Sequence, residues 1–171
     1  GLVVLSPLFL ITALAVGLTS PGGILFRQER IGLGGKPFII YKFRTMRKEN
    51  SGLKITASGD DRITPVGRIL RKTKLDELPQ LFNVLRGDMS FVGPRPEVQE
   101  YTDLYTEEQR QVFLVRPGIT GVASIRYRNE NDLLAASDDP NRTYIQEILP
   151  EKLRLDLSYI PRAGVVQDIA L

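Results

Sequence analysis

Residues 2–19 read LVVLSPLFLITALAVGLT, a run with no ionisable side chain. As a helix rising about 1.5 Å per residue it would reach roughly 27 Å, close to the hydrocarbon thickness of a bilayer. Pro7, directly after Ser6, removes one backbone donor and clashes with the preceding turn, so a break is expected there. The pattern therefore sets a bent, re-entrant membrane helix against a straight span. A buried core helix and a signal peptide are the blander readings, and the missing basic stretch ahead of the run opposes the second.

Beyond the turn at Pro21-Gly22-Gly23, residues 24–31 and 36–46 have strand composition and are separated by Gly32, Gly34 and Gly35, which predicts a β-hairpin. Short helices follow over 65–72 and 78–85. The second carries Leu78, Leu81, Phe82 and Leu85 on one face, and Gly87 is placed to end it. A longer helix is expected over 97–115 and another over 144–159, with a polar loop at 129–142 between them. The sum is an α+β, mainly helical protein. It divides into a membrane helix at 1–20 and the remaining domain at 21–171.

Charge sharpens this picture. Between Arg27 and Lys48 stand Arg27, Arg30, Lys36, Lys42, Arg44, Arg47 and Lys48, against the single acid Glu29, and that imbalance puts this flank on the cytoplasmic side. The net charge is only +3 over 171 residues, so the placement of the cations matters more than their excess. Neither Cys nor His occurs, which removes thiolate and imidazole chemistry and ordinary zinc sites. What remains for catalysis is carboxylates, Lys, Tyr, hydroxyls or a hard metal held by oxygen. The chain has no RNA-binding aromatic motif, zinc finger or helix-turn-helix, so nucleic acid is not expected as a partner.

The chemistry concentrates in residues 60–97. Arg62, Arg68, Arg71, Lys72 and Lys74 come without an intervening acid, and two adjacent carboxylates, Asp76 and Glu77, follow. Pro79 is tolerated only in a first helical turn, which places Asp76 at or near an N-cap and Glu77 just inside. Free N–H groups and the positive helix end favour ionised carboxylates and bound phosphate there. Two acids beside such a cationic stretch suit a diphosphate reaction, one to attack or deprotonate and one to hold Mg²⁺. Plain helix capping is the competing reading. Two proline-bounded turns add cations. Gly93-Pro94-Arg95-Pro96 pins Arg95, and Arg116-Pro117-Gly118 suits a type II turn. Rigid loops bearing a guanidinium read phosphates or nucleobases, although structural turns would look alike.

Several of these segments together resemble one known family. Ser6-Pro7 in an apolar helix, YKFRTM at 41–46, DRITPVGRILRKTKLDELPQLFNVLRGDMSFVGPRPE at 61–97 and RPGITG at 116–121 are similar to the monotopic phosphoglycosyl transferases, the bacterial sugar transferase family. The resemblance implies a re-entrant helix broken at Ser6-Pro7, an active site on the cytoplasmic face of the bacterial inner membrane, Mg²⁺ dependence and a covalent aspartyl-phosphosugar intermediate. By matching position it implies Asp76 as nucleophile and Glu77 as its metal-binding partner. Lys42, Arg71, Asp88, Arg95 and Arg116 would surround the diphosphate and nucleotide, with Asp156 and Tyr159 near the site. The partners implied are a nucleoside diphosphate sugar, with uridine expected, polyprenyl phosphate and membrane lipid, while a homodimer stays open. Val122-Ala123-Ser124 stand where many members continue with Trp-Ala-Gln, which loosens any statement about the sugar. Asp76 as general base in a ternary complex, and a membrane-anchored nucleotide-sugar-binding protein without turnover, remain as alternatives.

Overall fold

A computed structural model describes residues 2–20, 22–47 and 60–171. Its first element, α1 (Leu2–Thr19), is one helix assigned continuously through Pro7. The interruption expected at Ser6-Pro7 is absent from it, and the helix runs on through Pro7. Among the described residues no helix is long and apolar enough to cross a membrane. The inner side of α1 packs Val16 with Phe43 and Leu70, joined by Phe9, Ala13, Val66, Leu75 and Leu78. Each fully buried aliphatic or aromatic side chain of that cluster contributes about 1.5–3 kcal/mol. Val4, Leu10, Ile11, Leu14 and Leu18 remain exposed on the other side.

Strands β1 (Leu25–Ile31) and β2 (Pro37–Phe43) form the expected antiparallel hairpin, in a register that pairs Leu25 with Phe43 and Ile31 with Pro37. The connection turns over Leu33–Gly35, where Gly34 and Gly35 take φ of 66° and 71°, a region open to glycine at little steric cost. Helix α2 (Pro65–Thr73) starts on Thr64, whose side chain accepts from Gly67 N at 2.9 Å, and Pro65 fills the first position. Gly67 is needed for close approach, since a Cβ there would sit 2.1 Å from the Thr45 carbonyl oxygen.

Helix α3 (Gln80–Arg86) ends at Gly87 with φ 81° as expected, but its burial is inverted. The fully buried side chains are the polar Gln80 and Asn83, whereas Phe82 and Leu85 are 48% and 71% exposed. Phe82 leans edge-on against Phe9 of α1. Asn83 explains part of the inversion, because its amide donates to Ile39 O at 2.7 Å and accepts from Tyr41 N at 3.2 Å, fastening α3 to β2.

Strands β3 (Ser90–Val92) and β4 (Gly118–Thr120) pair in parallel. The type II turn expected at Pro117-Gly118 is therefore not formed. Gly118 opens a strand, and a Cβ on it would lie 2.2 Å from Gly93 N, so the glycine serves backbone contact and not a left-handed turn. The helix expected over 97–115 is divided into α4 (Gln99–Thr102) and a 3₁₀ segment, Gln109–Leu114. Thr106 and Gln109 make a reciprocal capping pair at 2.9 and 3.2 Å that starts the second piece.

The expected loop at 129–142 also holds helices, α6 (Glu130–Ala135) after α5 (Val122–Arg126), and α7 (Pro140–Thr143), which Asp139 caps through Arg142 N. One π turn, Tyr144–Ile148, joins α7 to α8 (Leu149–Tyr159), and α9 (Val165–Ala170) follows. A second core of Tyr101, Tyr105, Val112, Leu134, Tyr144, Ile148, Leu149 and Leu153 binds these pieces together.

Candidate active site

Asp76 and Glu77 lie in a 3₁₀ turn, Leu75–Glu77, between α2 and α3. Lys74 enters it in the left-handed region at φ 59° and its backbone N–H donates to Arg71 O, closing α2 two residues before Asp76. Both acids are buried, and neither makes a capping hydrogen bond to α3, whose N-cap is Pro79. Capping is therefore not what occupies these side chains. The acids stand a turn ahead of the position expected from Pro79, because the chain bends through 3₁₀ geometry first.

Glu77 accepts from Lys42 Nζ at 2.9 Å and from both terminal nitrogens of Arg95, Nη1 at 3.4 Å and Nη2 closer. Burial pushes its carboxyl up, but Arg95 and Lys42 more than offset this and hold it well below the usual carboxylate range. Burial pulls the Lys42 ammonium down to about 8, and the charge of Arg95 adds to the fall. The guanidinium of Arg95 is shifted upward by Glu77.

Asp76 contrasts with its neighbour. Burial and then the charge of Glu77 raise it, against the opposing charges of Lys42, Arg71 and Lys74. Its Oδ1 is buried without a hydrogen-bond partner among the described residues. Arg71, which the field of Asp76 reaches, is steadied by donating Nε–H to Thr45 Oγ1 at 2.9 Å. Lys42, Arg71, Asp76, Glu77 and Arg95 are thus brought together from β2, α2, the 3₁₀ turn and the loop after β3.

Pro94 and Pro96 flank Arg95 as the sequence suggested, and backbone bonds fix the loop: Gly118 N donates to Pro94 O at 2.9 Å and Gly93 N to Thr120 O at 3.0 Å. Asp156 reaches the same loop from α8. Its carboxylate accepts from the backbone N–H groups of Arg95 and Ala123, while burial raises it to about 7. Asp88, in contrast, pairs with Asn83 Nδ2 at 3.3 Å and Arg86 at 3.6 Å. Arg116 donates to Gly87 O at 2.8 Å. With Tyr159, whose hydroxyl bonds Asp168, it lines a separate groove that includes Leu33, Ser90 and Val92.

Sequence reasoning missed a second polar cluster. Buried Glu97 accepts from Tyr144 Oη at 2.6 Å and Arg30 Nη1 at 3.2 Å, and lies 3.6 Å from Lys152, which also pairs with Glu130 at 2.9 Å. Arg30 further donates to Pro96 O at 3.2 Å, which ties this cluster to the Arg95 loop. The signal available was Glu97 at the end of the Pro-Arg-Pro run, but its partners are 47 to 67 residues distant along the chain.

No group of three or more acidic metal ligands occurs among the described residues. Two adjacent carboxylates nevertheless match the protein share that Mg²⁺ commonly takes when substrate phosphates and water complete its shell. The unpartnered Oδ1 of Asp76 shows that this acid is not already committed to a cation, whereas Glu77 is.

The domain is α+β, and its candidate site sets two adjacent buried carboxylates among partly buried cations. The chain belongs to the bacterial sugar transferase family, whose match spans residues 1–171, and the resemblance carried by its central motif is thereby borne out. Over 171 residues it is 43% identical to UDP-glucose:undecaprenyl-phosphate glucose-1-phosphate transferase of Caulobacter vibrioides, covering 97% of this chain and 60% of the relative. Over 125 residues it is 47% identical to UDP-N-acetylgalactosamine-undecaprenyl-phosphate N-acetylgalactosaminephosphotransferase of Aeromonas hydrophila, covering 70% and 30%. The glucose-1-phosphate transferase of Escherichia coli K12 is 40% identical over 176 residues, covering 99% and 35%. The chain spans less than two thirds of each of these curated relatives.

Proposed function

We propose that this chain transfers a phosphosugar from a nucleoside diphosphate sugar, with uridine as the nucleoside, to polyprenyl phosphate, giving polyprenyl-diphosphate-sugar and nucleoside monophosphate. This is the first membrane step of glycoconjugate assembly. The observation that carries the reading is the division between two neighbouring acids: Glu77 is neutralised by Lys42 and Arg95, while Asp76 keeps an uncommitted oxygen. Three relatives named for undecaprenyl phosphate, two with glucose and one with N-acetylgalactosamine, support the acceptor and leave the sugar open.

In this reading Asp76 attacks the sugar-linked phosphorus, the bond to the nucleoside monophosphate breaks, and an acyl phosphosugar forms. The acceptor's phosphate oxygen then displaces the carboxylate and takes the phosphosugar. Lys42, Arg71 and Arg95 supply fixed positive charge for the diphosphate, which is worth more in a buried site than in water. Glu77, with Asp76 beside it, would hold Mg²⁺ once the donor's diphosphate draws Lys42 and Arg95 away from it, and the ion's charge would lower the repulsion between a carboxylate and a diphosphate. A covalent route also lets a soluble donor and a lipid acceptor use one site in turn.

Membrane attachment belongs to the same proposal. The exposed apolar side of α1, with Phe82 against Phe9 of that helix, would lie in the cytoplasmic leaflet of the bacterial inner membrane as an interfacial helix whose other side stays packed on the protein. Single cysteines at Gly1 and Gly23 should then react only from the cytoplasmic side.

The deciding experiment mixes enzyme, Mg²⁺ and donor without acceptor. One equivalent of nucleoside monophosphate per enzyme is expected, with an intact-mass gain of one phosphosugar that is lost in Asp76→Asn. If monophosphate appears only after polyprenyl phosphate is added, Asp76 acts as general base in a ternary complex. If none appears under any condition, the chain binds nucleotide sugar without turnover.

A further inference from the structure

Along the turn that carries the acids, Leu78 N bonds Leu75 O, Leu81 N bonds Leu78 O and Phe82 N bonds Pro79 O. This three-residue repeat stacks Glu77, Gln80 and Asn83 on one buried side. The outer two members are fully engaged, Glu77 by Lys42 and Arg95, Asn83 by the backbone of β2. Gln80 is not. It is 0% exposed, and neither Nε2 nor Oε1 has a hydrogen-bond partner among the described residues.

An amide buried in that state loses its water without replacement, and an apolar side chain of the same length would avoid the penalty. Folding alone therefore gives no reason for a glutamine here. The complementary atom is four residues earlier: Asp76 Oδ1 is a buried acceptor that lacks a donor. The other buried side-chain atoms without partners, Ser20 Oγ and Arg30 Nε, belong to the end of α1 and to β1. Glu77 cannot be the intended acceptor, because its oxygens already take Lys42 and Arg95.

We infer that Gln80 is a positioning residue for Asp76: a side-chain rotation lets its Nε2–H donate to Oδ1, leaving Oδ2 as the attacking oxygen. The inference rests on the reading of Asp76 as nucleophile. A carboxylate offers two equivalent oxygens and turns about its Cβ–Cγ bond. Holding one oxygen fixes the plane of the group and the direction of the other, so less orientation has to be gained at the moment of attack. No bond or proton is exchanged at Gln80 itself.

The test compares Gln80→Met, which keeps the length and removes the donor, in the wild-type and Asp76→Ala backgrounds. Donor-dependent kcat should fall about tenfold to a hundredfold with little change in donor KM, as expected for loss of a hydrogen bond to a charged group that does not itself touch the donor. Removing the buried amide should raise the unfolding midpoint in the Asp76→Ala background, and should raise it less, or lower it, in the wild-type background where the bond to Asp76 is also lost, the signature of a direct coupling. Should Gln80→Met not yield folded protein, Gln80→Leu removes the same N–H without adding charge and carries the same kinetic expectation. Unchanged kcat, or equal midpoint changes in both backgrounds, overturns the inference. Asp76→Asn with undiminished transfer would instead defeat the proposed function, so the two failures are distinguishable.

Discussion

Two buried carboxylates in this molecule, Glu77 and Glu97, each meet two cations, yet their surroundings differ. At Glu97 every oxygen has its donor: Tyr144 and Lys152 on one side, Arg30 on the other. At Glu77 the charge is equally well met by Lys42 and Arg95, but Asp76 stands beside it with an oxygen unmatched. Both acids are held below their ordinary range against burial, by Lys152 and Arg30 in one case and by Arg95 and Lys42 in the other. Ion pairing alone does not separate a site from a strut. What separates them is polarity left over after the pairing, because leaving it unsatisfied opposes folding and needs another explanation.

Asp76→Asn gives the sharpest way to break this comparison, and the largest expected loss. Removing a nucleophile while keeping its shape should lower transfer by about four orders of magnitude or more. The unfolding midpoint should hold or rise, since a buried charge disappears. A rate within tenfold of wild type would place the two clusters in the same structural category. Arg95→Lys comes next. It keeps the charge but loses the two-nitrogen grip on Glu77, and a loss of about tenfold to a hundredfold in donor kcat/KM is expected. Unchanged donor kinetics would reduce Arg95 to a charge balance for Glu77.

Glu97→Ala should show the reverse profile. Arg30 and Lys152 would lose a shared buried partner, so stability should fall by about 3–5 kcal/mol in urea unfolding. Transfer at low temperature should change only a fewfold, because no reacting group touches Glu97. A rate loss without a stability loss would show that the second cluster acts on chemistry through Pro96 and the Arg95 loop.

Local signals along the chain were enough for the hairpin, α2 and the end of α3, since glycine turns, a Thr-Pro start and a C-terminal glycine act over a few residues. The charge pattern also singles out Asp76, Glu77, Arg71 and Arg95, whose side chains the structure gathers with Lys42, a residue that only the family resemblance had pointed to. What failed were inferences from apolar spacing alone. Leu78, Leu81, Phe82 and Leu85 share a helical face, but Asn83 recruits the backbone of β2 and turns the polar face inward, leaving Phe82 and Leu85 outside. The helix expected over 97–115 concealed a capping pair, Thr106 and Gln109, that was legible but was passed over within an apolar repeat. The Glu97 cluster joins residues from β1, the π turn and α8, and no local pattern encodes such contacts.

Asp156 supplies the finest comparison, because this further buried acid meets backbone N–H groups where Glu77 and Glu97 meet cations. Its donors are Arg95 and Ala123, and burial leaves it raised to about 7. In an unfolded chain the same group titrates near the ordinary aspartate value of about 4. Between those values the folded state holds a proton that the unfolded state has released. The contribution of Asp156 to stability must therefore be greatest below about pH 4, decline as pH rises toward about 7, and stay at the lower level above it, opposite in sign to the contributions of Glu77 and Glu97. Asp156→Asn removes the titration while keeping an oxygen that can accept from one of the two N–H groups. Its unfolding free energy should lack this group's decline between pH 4 and 7, and the variant should gain on wild type at pH 8. The transfer rate should change least of the four, since Asp156 acts on the backbone of the Arg95 loop and not on the reacting phosphate. Urea unfolding at pH 4.5, 6 and 8 is the measurement. Parallel profiles for variant and wild type would mean that Asp156 is ionised throughout. A rate loss comparable to that of Arg95→Lys would mean that the loop's backbone, as well as its guanidinium, is set by this carboxylate.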